Sequence, residues 1–152
     1  MTTTLRTSSL ALSKGSRVEH CAALWAFVFA VFHIVWAAGW YVGLEQEEAR
    51  KAFHHAWTLV YDLVIAGMCL VGGLTALAIV EPCGRRFRGR LIRPLLWTGT
   101  GLLVLRAGAG IVHGAYLTAT QQFTISPSLL WEGWFCLGAF LFSLTLSRFR
   151  RT

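Results

Sequence analysis

The chain has 152 residues, of which 55% are hydrophobic and 14% charged, and its formal net charge is +7. A soluble domain of this length carries nearer a quarter charged residues and cannot hide so much apolar surface, so part of that surface must face lipid. The positive residues lie between apolar runs rather than along one polar face. This pattern favours contact with lipid headgroups over binding of nucleic acid.

Four apolar segments are long enough to cross a bilayer as α-helices. Residues 1–19, which are rich in Ser and Thr, are predicted to form a flexible basic tail. The spans are predicted at residues 21–43, 56–80, 95–117 and 129–147, each near the 20 residues that a hydrocarbon core of about 30 Å requires. Residues 148–152 form a second basic tail. The predicted fold class is an all-α membrane protein, a four-transmembrane-helix bundle that occupies residues 20–147.

The distribution of Lys and Arg predicts the orientation of this bundle. Eleven of the thirteen that lie outside the spans fall in the two tails and the second loop, whereas the first loop has two and the third has none. The positive-inside rule places the richer side in the cytoplasm, so both termini are expected there. We therefore expect a multi-pass plasma membrane protein in contact with membrane lipids.

Aromatic residues are concentrated at the ends of the predicted spans. Those expected at the outer interface are Trp40, Tyr41, Trp57, Tyr61, Tyr116, Trp131 and Trp134. Trp25 and Trp97 are expected at the inner interface. Because amphipathic rings settle at the level of the headgroups, a membrane-anchoring belt is the first interpretation of most of them. Gly39 with Gly43 is one of two GxxxG pairs that would let helices approach each other, a weak signal in a chain with 15 glycines.

Titratable side chains interrupt the spans at His33, Asp62, Arg106, His113 and Glu132. Such groups are costly in lipid and mark function by default. The helical rise of about 1.5 Å per residue places all of them in the outer half of the bundle, with His33 and Arg106 near the midplane. They predict a polar vestibule that opens outward. These five residues are candidate ligand-binding residues. Three nearby tryptophans, Trp36, Trp131 and Trp134, complete the candidate set.

Arg106 is expected to be buried and to pair with a carboxylate on a neighbouring helix. Glu132 is the first choice because a long arginine side chain can extend toward it, although the two Cα depths differ by roughly 11 Å. Asp62 is the alternative, since it lies nearer in depth. A purely structural pair, which fixes the register of the bundle, is an equally open interpretation.

No cofactor or metal site is predicted. His33 and His113 would have to lie at nearly one depth to ligate a haem, and their estimated depths differ by roughly 9 Å. The adjacent His54 and His55 indicate at most weak metal binding from a solvated loop. The cysteines are Cys21, Cys69, Cys83 and Cys136. No two of them have CxxC spacing, so neither a thiol-redox centre nor a zinc site is predicted.

Three short stretches carry a shared pattern. Residues 32–39 read FHIVWAAG, residues 104–110 read VLRAGAG, and residues 130–138 read LWEGWFCLG. These stretches resemble the His-x-x-Trp-Ala-x-Gly, Arg- and Gly-containing, and Trp-Phe-x-Leu-Gly motifs of a family of small bacterial four-span membrane proteins, which is classed as a domain of unknown function. The chain departs from that pattern at Gly133, where the family has proline, and at Ala139, where it has glycine.

The resemblance extends over nearly the whole chain and implies a four-span fold in a bacterial cytoplasmic membrane. It favours His33, Trp36, Arg106 and Glu132 as the shared polar set. It implies no activity.

Three classes of function are open from the sequence, and whether the protein is an enzyme is undecided. The preferred class is a small binding or accessory module that holds a small apolar ligand or a lipid in the vestibule, or docks beside a larger membrane partner. The second is an enzyme acting on a lipid or isoprenoid, with Glu132 or Asp62 as general acid or base and Arg106 stabilising an anion. The third is a proton-coupled carrier that acts as a homodimer.

Overall fold

The computed structural model describes residues 3–81, 88–120 and 127–150, and five α-helices make up most of them. Side chains are described for residues 17–47, 49–51, 53–81, 90–120 and 130–150. The helices are α1 (Thr3–Ala37), α2 (Gln46–Ala52), α3 (Ala56–Val80), α4 (Arg93–Ala119) and α5 (Pro127–Phe149). A π-helical segment, Arg88–Ile92, leads into α4. The described residues contain no strand.

Among the described residues, four helical segments are long and apolar enough to cross a membrane. They are Arg17–Ala37, Ala56–Val80, Arg90–Ala119 and Leu130–Phe149. The protein is therefore a multi-pass membrane protein with an all-α, four-helix transmembrane bundle, which confirms the predicted fold class. Which side of the membrane holds the termini stays a prediction.

The helix bounds agree with the predicted spans except in the first. α3 coincides with the predicted residues 56–80, and α4 and α5 each extend two residues beyond the predicted spans at both ends. α1 ends at Ala37 instead of residue 43, and it begins at Thr3, so residues 3–19 form its first part. The flexibility of that segment stays a prediction. The first loop, predicted to be solvated, contains α2.

The early end of α1 has a local cause at Gly39. Its φ of +89° is a left-handed conformation that glycine adopts without strain. The amide of Gly39 donates to the carbonyl of Trp36 (2.8 Å), and the amide of Trp40 donates to the carbonyl of Val35 (3.1 Å). These two bonds form the Schellman motif that terminates helices. Gly43 also has a positive φ, of +76°. The GxxxG interpretation of these two glycines is therefore wrong, because both lie in a turn and not on a helix face.

Consecutive spans run antiparallel, and α1 is the most buried of the four. α1 packs against α3 and α5, and α4 packs against α5 and, more sparsely, against α3. Along the α1–α5 contact, Trp25 meets Phe142 while Trp36 meets Trp131, so the start of α1 and the end of α5 lie at the same end of the bundle. We call this the inner end, and the end where α1 stops the outer end.

Large rings of α1 pack over glycines of its neighbours. A Cβ on Gly73 of α3 would lie 2.7 Å from the ring of Phe27, and one on Gly138 of α5 would collide with Trp25. Lipid tails are as apolar as these side chains, so close packing, and not the hydrophobic effect, holds the helices together. Trp25, which is only 4% exposed, is thus a core residue, and its prediction as an interfacial anchor is wrong.

Candidate functional site

A buried histidine–aspartate pair joins α1 to α3. Nδ1 of His33 and Oδ1 of Asp62 are 2.8 Å apart, and the two residues are 6% and 3% exposed. The rings of Phe29 and Trp36 meet the imidazole edge-on, with centroids 4.6 and 4.9 Å away. Nε2 of His33 and Oδ2 of Asp62 have no hydrogen-bond partner among the described residues. Removing either member would leave the other polar group buried without a partner.

The position of His33 follows from the true end of α1. The predicted end at residue 43 placed His33 near the midplane, but the helix stops at Ala37, so His33 lies about 6 Å below the helix end at about 1.5 Å per residue. Asp62 lies about 9 Å below the start of α3 by the same measure. The two side chains therefore meet at nearly one depth, a contact that the sequence did not predict.

An ion pair joins α4 to α5. Both terminal nitrogens of Arg106 donate to Glu132, from Nη1 to Oε2 and from Nη2 to Oε1, each at 2.8 Å. The centre of the guanidinium lies 4.1 Å from the centroid of the Phe135 ring. The structure thus contains the Arg106–Glu132 pair that was the first choice. The expectation that Arg106 is buried is wrong, because 42% of its side chain is exposed.

The side chains of Arg106 and Glu132 meet although the depths of their Cα atoms were estimated to differ by roughly 11 Å. Gly110 leaves the space in which they meet. It is buried one helical turn beyond Arg106 on α4, and a Cβ there would collide with the carboxylate of Glu132 and lie 3.2 Å from Nη1 of Arg106. The absent side chain lets the carboxylate rest on the α4 backbone. The four-residue spacing between Arg106 and Gly110 could have indicated that Gly110 makes room for the partner of Arg106, since residues four apart share a helix face.

The candidate tryptophans hold the outer end of the bundle together. Nε1 of Trp36 donates to the carbonyl of Val42 (3.0 Å), and Nε1 of Trp131 donates to that of Gly43 (2.9 Å). The two rings are 4.8 Å apart, edge to face. These bonds tie the turn after α1 over the helix ends. The outer end is therefore covered at this point.

Trp134 packs deeper, against Trp25. The Trp134 carbonyl accepts a hydrogen bond of 3.0 Å from Nε1 of Trp25, and the two rings are stacked 6.0 Å apart. Its own indole nitrogen is buried and has no partner among the described residues.

A cavity of about 250 Å³ lies between α1, α3, α4 and α5. Its polar wall residues are His33, Arg106, Tyr61 and Cys69, and the remaining wall is apolar or glycine. Because it extends inward from the two pairs as far as Gly72 and Gly99, it does not match the predicted vestibule, which was to open outward.

His113 takes part in neither pair and is exposed on α4. It lies seven residues beyond Arg106 on α4, a separation of about 10 Å along the helix axis. His33 and His113 are thus not brought together. Among the described residues, no group of three or more His, Cys, Asp or Glu side chains gathers as a metal site would need.

The described cysteines Cys21, Cys69 and Cys136 are free thiols. Cys83 lies outside the described residues. His54 and His55 are exposed, with ring centroids 6.0 Å apart.

Residues 26–142 match a protein-family model, and this range includes the His33–Asp62 and Arg106–Glu132 pairs and every residue of the cavity wall except Trp25. No curated protein matches the chain, and no solved structure matches it. The matched range covers more than half of the chain. The chain therefore belongs to the family described as "Protein of unknown function (DUF3995)".

Proposed function

We propose that the protein is a small binding module of the membrane that holds a small, largely apolar molecule in the cavity between its four spans. The observation that carries this proposal is the cavity itself, whose mainly apolar wall contains two polar groups that are fixed by partners. Ligand sites have this composition, since apolar walls supply contact area and a few placed polar groups supply orientation.

The size of the cavity limits the ligand. At about 250 Å³ it exceeds an engineered apolar cavity of about 150 Å³ that holds benzene, and it lies just below the usual range of ligand pockets. An aromatic ring system or a short branched chain fits such a volume. A whole phospholipid does not, so a lipid would insert only part of itself.

The two carboxylates favour binding over acid–base catalysis. Arg106 donates a hydrogen bond to each oxygen of Glu132, so this carboxylate already serves as the partner of a cation. Asp62 is 3% exposed and is not part of the cavity wall. A general acid or base must come within hydrogen-bond reach of the reacting group, and neither carboxylate lines the cavity.

The cellular setting is part of the same proposal. The cation distribution supports cytoplasmic termini, and the likeness to small bacterial four-span proteins supports a bacterial cytoplasmic membrane. A homodimer or a larger membrane partner is compatible with the exposed outer faces of the spans.

A pair of glycines on α4 provides the test. Gly99 lines the cavity and Gly101 does not, and a Cβ at either position meets no atom within 4 Å. Gly99→Leu should fill the cavity, whereas Gly101→Leu adds the same bulk outside it. Native mass spectrometry should detect a retained small molecule in the wild type and Gly101→Leu, and little in Gly99→Leu. Binding of 2-ethylnaphthalene should fall in the same variant.

Equal binding by the two variants would contradict the proposal. So would a wild-type protein that retains no small molecule and does not bind 2-ethylnaphthalene. Thermal unfolding of both variants in detergent shows whether the bundle is intact.

A further inference from the structure

The cavity reaches the surface of the bundle between α3 and α4. Three of its wall residues there, Tyr61, Met68 and Leu102, are also 52%, 45% and 44% exposed. α3 and α4 pack sparsely against each other, while the outer end is covered by Trp36 and Trp131. The open side of the cavity therefore faces the lipid tails, so its ligand exchanges with the bilayer interior.

Arg106 is the accessible charged group of the wall. Nε2 of His33 has less than 1 Å² of accessible surface, so a ligand in the cavity can contact the carbon atoms of the imidazole but cannot form a hydrogen bond with this nitrogen. The guanidinium, by contrast, belongs to a side chain that is 42% exposed. It has further N–H donors beyond the two that Glu132 accepts, and the ring of Phe135 supports one face of it.

The charge of the pair selects among ligands. A guanidinium is donor-only, so the ligand must supply the acceptor. An anionic ligand would have to approach the carboxylate of Glu132 in a medium where like charges repel strongly. Because Glu132 already neutralises Arg106, a neutral acceptor can bond to the remaining donors without leaving a net charge in the membrane.

We propose that the ligand is a neutral, lipid-soluble carbonyl compound (a ketone, an ester or a quinone) that enters sideways between α3 and α4 and accepts a hydrogen bond from Arg106. This inference rests on the proposed function, since it assumes that the cavity is a ligand site. It adds the chemical class of the ligand, the residue that recognises it and the route by which it enters.

Three probes of nearly one shape test the inference in lipid nanodiscs, with affinities expressed per mole fraction of probe in the bilayer. They are 2-acetylnaphthalene, which is a neutral ketone, 2-ethylnaphthalene, which lacks the acceptor, and 2-naphthoate, which is an anion. We expect the ketone to bind about tenfold more tightly than the hydrocarbon, because hydrogen bonds to charged groups are among the stronger ones. The anion should bind more weakly than the ketone.

The variant that removes the donor is Arg106→Leu combined with Glu132→Leu, which leaves no single charge behind. Its ketone-to-hydrocarbon affinity ratio should fall from about ten to about one. Leu105→Ala, at a neighbouring position that is 72% exposed, should keep the wild-type ratio. Infrared spectra of the wild type should show the carbonyl stretch of bound 2-acetylnaphthalene shifted to lower frequency, which tests the bond even where the double variant does not fold.

The outcomes separate the inference from the proposed function. Binding of ketone and hydrocarbon with equal affinity, both sensitive to Gly99→Leu, would overturn the carbonyl inference and leave the cavity as a site. Tightest binding by 2-naphthoate would overturn it in favour of an anion site. Binding of no probe would overturn both.

Discussion

Replacing Glu132 by Leu is expected to destabilise the bundle more than replacing Arg106 by Leu. The two residues form a bidentate pair with both N–O distances at 2.8 Å, and Arg106 lies in the middle of α4. If Glu132 is lost, the guanidinium stays charged, since arginine is not deprotonated in proteins. If Arg106 is lost, the remaining carboxyl group can take up a proton and become neutral.

The structure sets the size of this difference. Breaking a fully buried pair costs about 3–5 kcal/mol, but the side chains here are 42% and 31% exposed, which lowers the expected cost of Glu132→Leu to about 2–3 kcal/mol. Arg106→Leu should cost about 1–2 kcal/mol, because neutralisation of the carboxyl limits the penalty. The double variant should cost less than about 1 kcal/mol, since no unpaired group remains and apolar replacements of ion pairs are often neutral.

The assay is reversible unfolding in mixed micelles for the wild type, both single variants and the double variant, read as a double-mutant cycle. Leu105→Ala is the matched control on the exposed face of α4, with an expected change near zero. Additive single costs would refute the reasoning because they would mean that the two charges do not interact. A larger cost for Arg106→Leu than for Glu132→Leu would show that charge neutralisation does not control the stability of this pair.

The remaining predictions concern the helix contact beside the pair and the topology. Gly110→Ala should destabilise the bundle by about 2 kcal/mol, because the new Cβ collides with the carboxylate that packs there, whereas Gly114→Ala, with no atom within 4 Å, should change stability little. Unfolding of the two variants in micelles compares them, and equal costs would contradict the packing argument. Reporters inserted in residues 85–90 and fused after Thr152 should both read cytoplasmic, because eleven of the thirteen cations outside the predicted spans lie on that side. A periplasmic reading at either position would refute a four-span bundle with both termini in the cytoplasm.

The polar cluster was only partly predictable. Intramembrane charges are costly, so a lone Arg106 in the middle of a span had to find a carboxylate, and the sequence contained few candidates. The pairing of His33 with Asp62 was not predicted because depth was counted from residue 43, whereas the first helix ends at Ala37. The glycine that ends α1 was a usable signal, since glycine after the last helical turn is a common helix stop.

The sequence by itself determined the number of spans, their helical class and the bounds of α3, because a hydrocarbon core admits few backbone structures and sets their length. It also contained the charge that had to be neutralised at Arg106. Only the tertiary structure decided that Gly110 receives the carboxylate, that Trp36 and Trp131 bond to the turn after α1, and that the cavity has exposed wall residues on α3 and α4. These features depend on how closely two helices approach and on which of their faces meet. The volumes of the side chains at the contacts set that distance, and the hydropathy of the sequence contains no information on those volumes.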